Sequence, residues 1–310
     1  MVKRARAFSP AGITSFFEIC DRTPDRKLLT DPERIGARGG GFSPENGVLT
    51  EVIVDEAKET QAQVFINGLH CPEAETTLAV VEMLTKKTSE NYVITIKHDV
   101  NIPIGAGFGS SAAGALGAAL GLNKVLGTNL TYNQLGKIAH AAEIKAKTGL
   151  GTVGPLLYGG CGLTIEPGAP GVSCVDRVPV SVDHRLVIGT FKPHLTKELL
   201  SSNEKREQIN EWGRKTLKKI LADASLENFM KCCKEYAIKT GFATEPVKNL
   251  MDLSEKAGAV GAAQNMLGEA VHALVTVDHV DAVYEAFRTV LPEEKIITAK
   301  IDFQGARLIG

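Results

Sequence analysis

The stretch Pro103-Ile-Gly-Ala-Gly-Phe-Gly-Ser-Ser-Ala-Ala113 decides the fold class of this chain. Its three alternating glycines let the backbone turn tightly and approach a ligand without Cβ atoms in the way. Ser110 and Ser111 are good N-cap residues for the Ala- and Leu-rich helix that we expect over residues 111–126. The free N–H groups and the positive dipole end of this helix would face the loop. The stretch therefore predicts a phosphate-binding loop.

Two common phosphate motifs are excluded at this position. A Walker A loop ends in Gly-Lys-Ser/Thr, but no lysine occurs in residues 103–121. A dinucleotide fingerprint requires a glycine three residues beyond Gly107, where this chain has Ser110. A glycine-rich turn before a close-packed alanine helix, with no ligand, is the alternative interpretation of the same residues.

The composition argues against nucleic acid and membranes as partners. Of the 310 residues 44% are hydrophobic, and 35 Lys and Arg nearly balance 36 Asp and Glu, without a basic stripe or an acidic tail. No apolar run reaches the roughly 18–20 residues that span a bilayer, and the N-terminus does not resemble a signal peptide. The six cysteines fit neither a disulfide scaffold nor a paired zinc site, so we expect reduced thiols and a cytoplasmic location.

Hydrophobic periodicity and turn signals predict two domains, over residues 1–182 and 183–310. The first fifty residues are rich in Gly, Pro and Asp, most densely at 36–41, and we assign no strand to them. In the rest of the first domain we expect strands at 51–55, 62–66 and 92–98, a hairpin turn at Asn67-Gly68, a helix after Pro72, and a helix from a Thr131/Gln134 capping box to near Gly149.

The second domain alternates strands and helices. We expect strands at 186–191, 271–277 and 296–302, three helical patterns after the first strand, and a helix at 280–290. This order predicts an α+β layer with helices on one face of a small sheet.

With these motifs the chain resembles the GHMP kinases. Residues 103–113 are similar to their Pro-x-x-x-Gly-Leu-Gly-Ser-Ser-Ala-Ala signature, with Phe108 for the usual Leu. Residues 8–18 (Phe-Ser-Pro-Ala-Gly-Ile-Thr-Ser-Phe-Phe-Glu) resemble the family's N-terminal substrate motif in the form found in archaeal pantoate kinases. Residues 139–160 and 192–197 resemble two further segments of those kinases.

The resemblance implies a fold, cofactors and partners. The fold is the two-domain α+β GHMP kinase fold, with an N-terminal α/β domain that carries the ATP loop and a C-terminal ferredoxin-like α/β layer. The cofactors are ATP and Mg²⁺. The partner is a small-molecule substrate, pantoate or a similar hydroxy acid, with no nucleic acid and no membrane, and the resemblance leaves room for a homodimer.

The resemblance also implies the roles of site residues. Ser111 and Glu143 are expected to bind the metal and, with Thr152, to form the catalytic set. The nucleotide is expected at Pro103, Gly105, Ala106, Gly107, Phe108, Gly109, Ser110, Ser111 and Ala112. The substrate is expected at Gly12, Ile13, Thr14, Arg38, His140 and Thr196. His140 and Glu143 lie three residues apart and so share a helical face, while the alternative for both is a solvated polar role.

Four departures from the family pattern weaken the assignment of substrate and proton transfer. Thr152 stands where the family has an Asp, Gly12 where pantoate kinases usually have His, and Ala37 where they have Ser. The third, normally Gly-rich, motif appears only as residues 261–268. A threonine hydroxyl cannot serve as a base at neutral pH, because it binds its proton too tightly.

Three functional hypotheses follow from these residues. The leading one is an ATP-dependent kinase that phosphorylates the hydroxyl of pantoate to 4-phosphopantoate in coenzyme A biosynthesis. The second is a GHMP kinase for another small hydroxy acid, similar to mevalonate or homoserine. The third is a nucleotide-binding homologue that has lost catalysis.

Overall fold

The computed structural model describes residues 2–192 and 203–310. In these two ranges the chain forms three β-sheets and eight α-helices. The strands are β1 Lys3–Pro10, β2 Ile13–Cys20, β3 Gly36–Phe42, β4 Gly47–Ala57, β5 Gln61–Ile66, β6 Leu69–His70, β7 Asn91–Val100, β8 Cys161–Glu166, β9 Cys174–Val178, β10 His184–Lys192, β11 Gly261–Gln264, β12 Glu269–Thr276, β13 Ile296–Lys300 and β14 Arg307–Ile309. The helices are α1 Glu75–Thr85, α2 Ser110–Leu126, α3 Tyr132–Ala146, α4 Val153–Leu156, α5 Asn203–Ala222, α6 Leu226–Lys239, α7 Glu245–Lys256 and α8 Val280–Arg288.

The first sheet has the strand order β14-β1-β4-β7-β5-β6 and is antiparallel except for β5 beside β7. The predicted hairpin at Asn67-Gly68 is confirmed, since both residues have positive φ and join β5 to β6. Helix α2 packs closely on β4, where a Cβ at Gly117 would stand 2.3 Å from Thr50 Oγ1. The glycine thus permits the close approach that fixes the direction of α2.

The other two sheets enclose most of the aromatic core. One has the order β2-β3-β8-β9 and the other β11-β12-β10-β13, and α5 and α6 both pack against β2. Phe16 and Phe42, from β2 and β3, contact Phe229 of α6 at centroid distances of 6.3 and 5.4 Å. Burial of such large rings dominates core energetics, so the N-terminal strands and C-terminal helices share one core.

The sheet β11-β12-β10-β13 confirms the predicted α+β layer. Along the chain, β10 is followed by helices α5 to α7, then by β11 and β12, then by α8 and finally by β13. In the sheet β13 lies beside β10, which is the ferredoxin-like arrangement. The end of the chain leaves this layer, because β14 pairs with β1 of the first sheet. The limits 1–182 and 183–310 therefore stay a prediction.

The first fifty residues, to which the sequence assigned no element, form β1, β2, β3 and the start of β4. The glycine cluster of β3 pairs with β2 on one side and with β8 on the other. A Cβ at Gly41 would stand 1.8 Å from the carbonyl oxygen of Ile13, so the glycines serve the close approach of neighbouring strands.

The cysteines are unpaired, as expected from the sequence. All six cysteines are free thiols, of which Cys161, Cys232 and Cys233 are buried. Across the described ranges, no helix combines the length and apolarity that crossing a bilayer requires.

Two histidines are buried as hydrogen-bonded neutral groups. His98 lies between the hydroxyls of Thr50 and Thr77, at 2.9 and 3.0 Å. His272 lies between Ser15 Oγ and Asn265 Oδ1, at 2.9 and 2.7 Å. Burial lowers the pKa of His98 to about 4 and that of His272 to about 3.

We predict that stability falls in mild acid because of these two histidines. Below the ordinary pKa of 6.5 both histidines become protonated in the unfolded chain. In the folded chain His98 stays neutral down to about pH 4 and His272 down to about pH 3. Each histidine should therefore remove about 1.4 kcal/mol of unfolding free energy per pH unit in that window. Urea unfolding of His98→Gln and His272→Gln at pH 7.5, 6 and 5 measures the slopes. Slopes equal to that of the parent would contradict this account.

Candidate active site

A cavity of about 440 Å³ opens beside the predicted phosphate loop. Its walls are the loop itself, the first residues of β2, strand β3, residues 147–152 after α3, and the pair Met266 and Leu267 before β12. The volume lies in the range of small-molecule sites. Segments far apart in the sequence thus meet around one pocket.

The phosphate loop carries its glycines in the left-handed region. Gly105, Gly107 and Gly109 have φ values of 78°, 80° and 60°. Helix α2 begins at Ser110, and its N-cap is Gly109, with no side-chain hydrogen bond at the cap. The expectation that Ser110 or Ser111 caps the helix was therefore wrong. The free N–H groups of the first turn remain available to an anion.

Backbone contacts on both sides fix the position of the loop. The N–H of Gly12 donates to the carbonyl of Phe108 at 2.9 Å. On the other side, a Cβ at Gly268 would stand 2.4 Å from the carbonyl oxygen of Ala106, and one at Gly107 would stand 3.1 Å from Asn265 Cβ. The loop is thus held between the start of β2 and the turn that connects β11 with β12.

The hydroxyl of Ser111 faces Glu143 instead of the helix end. Ser111 Oγ donates to Glu143 Oε1 at 2.6 Å, and Thr148 Oγ1 donates to the same oxygen at 2.7 Å. Thr148 Oγ1 also lies 2.9 Å from Thr76 Oγ1 of α1. Burial raises the pKa of Glu143, while the two hydroxyl donors lower it. Among the residues that the structure describes, Oε2 has no hydrogen-bond partner.

Thr152 packs directly against the loop. Its methyl group lies 2.7 Å from where a Cβ would stand at Gly12 and also at Gly109. Thr152 lines the cavity and precedes the short helix α4, without a capping hydrogen bond from its side chain. The position that bears the family Asp therefore does face the site, but with a hydroxyl and a methyl.

The cavity lining carries two cationic residues, Arg38 and Lys147, and no carboxylate among the described residues. The guanidinium of Arg38 is already engaged at all three nitrogens. Nε donates to the carbonyl of Ile165 at 3.0 Å, Nη1 lies 3.4 Å from buried Glu18, and Nη2 lies 3.0 Å from exposed Glu166.

The structure separates some of the predicted site residues from the cavity. His140 is buried, its Nε2 lies 2.8 Å from the carbonyl oxygen of Ile35, and burial lowers its pKa. It does not line the cavity, and neither does Glu143, which lies behind Ser111 and Thr148. Thr196 lies outside the described residues.

The other predicted residues are placed in two groups. Those that line the cavity are Gly12, Ile13, Thr14, Arg38, Gly105, Gly107, Phe108, Gly109, Ser110, Ser111 and Thr152. Pro103, Ala106 and Ala112 lie outside the lining, and Ala106 and Ala112 are buried under the loop.

Several residues of the site went unpredicted. Lys147, Thr148 and Leu267 line the cavity, and Asn265 supports Gly107. The buried chain Ser15–His272–Asn265 joins β2 to the turn below the loop. The only sequence signal for that turn was the weak third motif at 261–268.

Comparison with known proteins agrees with this geometry. Residues 75–160 match the family described as GHMP kinases N terminal domain. The chain is 31% identical to a pantoate kinase of Methanocaldococcus jannaschii over 84% of this chain and 89% of that one. It is also 31% identical to a pantoate kinase of Thermococcus kodakarensis, with 87% of both chains covered.

Solved structures share the fold over nearly the whole chain. A structure titled "Phosphotransferase related to CoA biosynthesis pathway" has a TM-score of 0.85 and 28% identity, and covers 99% of this chain and 98% of its own. A mevalonate diphosphate decarboxylase from Staphylococcus aureus has a TM-score of 0.74 at 17% identity over 100% and 99% of the two chains, which shows the fold alone. The phosphate loop, its α+β frame and these relatives together show that the chain belongs to the GHMP kinase family.

Proposed function

We propose that this protein transfers the γ-phosphoryl group of ATP to the hydroxyl of pantoate, which gives 4-phosphopantoate for coenzyme A biosynthesis. Membership of the GHMP kinases makes the chain an ATP-dependent small-molecule kinase. The observation that carries the choice of substrate is the 31% identity to pantoate kinases over most of the chain. The resemblance of residues 8–18 to the substrate motif of those kinases supports it, because Gly12, Ile13 and Thr14 line the cavity.

The charge of the cavity supports an anionic substrate. Its lining has two cations and, in the described part of the chain, no Asp or Glu, so a carboxylate and phosphates meet no like charge there. Gly12, Ile13 and Thr14 are our candidates for shaping the substrate pocket. Arg38 could receive the substrate carboxylate only where that carboxylate replaces Glu166 at Nη2.

His140 and Thr196 remain candidates for substrate recognition on the basis of the resemblance alone. For His140 that role requires a change at its contact with the Ile35 carbonyl, because its ring is buried away from the lining.

We assign Mg²⁺ to Ser111 and Glu143. The donor set fits this ion, which prefers one or two carboxylates together with substrate phosphates and water. Glu143 Oε2 has no partner in the described residues, and the Ser111 hydroxyl lies beside the same carboxylate at the phosphate loop. The described residues hold no group of three or more His, Cys, Asp or Glu that could bind the ion alone, and on this assignment phosphates and water would complete the site. When bound, the ion neutralises charge on the phosphates.

Proton removal does not need a strong base at Thr152. Phosphoryl transfer passes through a loose transition state in most analyses, so positioning and charge neutralisation supply most of the catalysis. The substrate proton can leave to phosphate or water after transfer has begun. The threonine then serves to fill the space between the start of β2 and the phosphate loop.

The metal assignment predicts that Glu143→Gln lowers turnover by about 10- to 100-fold at limiting Mg²⁺, because charge is lost while shape is kept. Gly149→Ala should act in the same direction, since its Cβ would stand 2.1 Å from Glu143 Oε2 and displace the carboxylate. The measurement is ADP release as a function of Mg²⁺ concentration.

Gly154→Ala is the matched control for the second variant. Its Cβ would stand 3.3 Å from Val175 Cγ2 and 3.9 Å from Ser173 Oγ, away from Glu143, so turnover should stay near that of the parent. Parental Mg²⁺ dependence in both Glu143→Gln and Gly149→Ala would show that this carboxylate is no metal ligand.

Thr152→Asp should raise turnover, because a general base typically contributes about 10²- to 10⁴-fold. The carboxylate would take the place of the hydroxyl and methyl group of Thr152, a residue that lines the cavity between Gly12 and Gly109. Thr152→Asn is the control with the same shape and no basic group, and it should not gain activity. ADP release is measured for the parent and both variants with pantoate, mevalonate and homoserine.

The outcome of this panel separates three functions. Parental turnover of pantoate supports the proposal. Turnover of a different acid supports a related kinase, which the departures at Gly12, Ala37 and Thr152 favour. Tight ATP binding without turnover in the parent or in Thr152→Asp, across a broader hydroxy-acid panel, would identify a binding protein that has lost catalysis.

A further inference from the structure

We propose that Lys147 is an oxyanion-binding residue of this site, whose ammonium group contacts either the carboxylate of the acid substrate or a phosphate of the nucleotide. The proposal rests on the proposed kinase function and adds to it a cation that the family motifs did not indicate. Three observations support it: the missing counter-charge of Lys147, its backbone conformation and the charge balance of the cavity.

Lys147 lacks a counter-charge, unlike its neighbours on α3. Lys145 Nζ lies 2.6 Å from Glu82, and Lys137 Nζ lies 2.7 Å from Glu33. Both of those lysines point at carboxylates on other segments. Lys147 has no ion pair or hydrogen bond from its side chain in the part of the chain that the structure describes, and it lines the cavity. Its charge is therefore available to a ligand.

The backbone of Lys147 has a conformation that a lysine disfavours. It is the C-cap of α3, with φ 57° and ψ 37°, and its N–H donates to the carbonyls of Glu143 and Ile144. Helices that end in this left-handed form usually have glycine there, because a Cβ is crowded in it. Non-glycine residues in such conformations cluster at functional sites. The conformation directs residues 147–152 along the cavity wall.

A stabilising interaction with the dipole of α3 accounts for Lys147 less well than ligand binding does. A cation near a helix C-terminus is mildly favourable, but Lys145 already stands in the last turn of α3. A free cation in the cavity lining, in contrast, would bind an anionic ligand that the other lining groups bind only through neutral donors. The phosphate loop offers only backbone N–H groups and hydroxyls, and Arg38 is engaged by Glu18 and Glu166. Lys147 is thus the one lining cation of the described residues without a protein carboxylate.

The test uses Lys147→Gly, because we expect this substitution to weaken anion binding without lowering the stability of the fold. Glycine removes the ammonium group and at the same time suits the left-handed backbone. We expect the KM for the bound anion to rise about 10-fold or more, while the thermal midpoint stays the same or rises by about 1–3 °C. A lysine with a merely structural role would show no rise in KM.

Two further variants complete the test. Lys145→Ala removes a neighbouring charge outside the cavity lining and should leave both KM values unchanged. Lys147→Arg keeps the charge and should recover most of the affinity. Steady-state kinetics with pantoate and MgATP as separate variables identify the anion: a rise in KM for pantoate alone indicates the carboxylate, and a rise for MgATP alone indicates a phosphate. A change of less than twofold in both KM values for Lys147→Gly overturns the proposal.

Failure of the proposed kinase function can be distinguished from failure of the proposal for Lys147. If the parent phosphorylates none of the acids, MgATP binding is measured by calorimetry instead. A dissociation constant that rises about 10-fold in Lys147→Gly but not in Lys145→Ala then supports a phosphate contact, although the proposed function has failed. Pantoate binding is measured in the same way, and equal binding of both MgATP and pantoate by the parent and Lys147→Gly overturns the proposal in that case.

Discussion

The close approach of three backbone segments at the phosphate loop is the constraint on which the rest of the site depends. The loop accepts a hydrogen bond from the N–H of Gly12 on one side. On the other side it lies so close to Gly268 that a Cβ there would stand 2.4 Å from the carbonyl oxygen of Ala106. Left-handed glycines lose much conformational freedom on folding, and these contacts must offset that cost. Because both neighbours are fixed, α2 begins with its free N–H groups toward the cavity, and Ser111 reaches Glu143.

Local signals made much of the fold predictable, while strands that depend on distant partners were missed. Helix α3 was predicted because its capping box, Thr131 with Gln134, is local and is present in the structure. Strand β3 was missed because its glycines have no strand propensity of their own and are ordered by β2 and β8. The N-cap of α2 was misassigned because the hydroxyl of Ser111 has a stronger, charged partner in Glu143, 32 residues away.

The same distinction holds in the candidate site. The pairing of Ser111 with Glu143 was accessible from the family resemblance, since both residues belong to its motifs. His140 contacts the backbone carbonyl of Ile35, and Arg38 Nε donates to that of Ile165. The other two nitrogens of Arg38 contact Glu18 and Glu166. No periodicity or motif indicates these partners. The position of Lys147 follows from where α3 ends, and the sequence placed that end near Gly149 instead of Ala146. Side chains at helix ends are the least predictable part of such a site.

The described lining of the cavity holds two cationic residues and no carboxylate. An Asp at position 152 would help to remove a proton, but it would also repel phosphates and a substrate carboxylate in a partly closed cavity. Thr152 removes that repulsion, and its methyl group fills the space beside Gly12 and Gly109. A cavity of this kind is better suited to holding two anionic ligands together than to deprotonating one of them. Catalysis at such a site has to come from alignment of the hydroxyl with the phosphoryl group and from neutralisation of charge, which are the two contributions that phosphoryl transfer needs most.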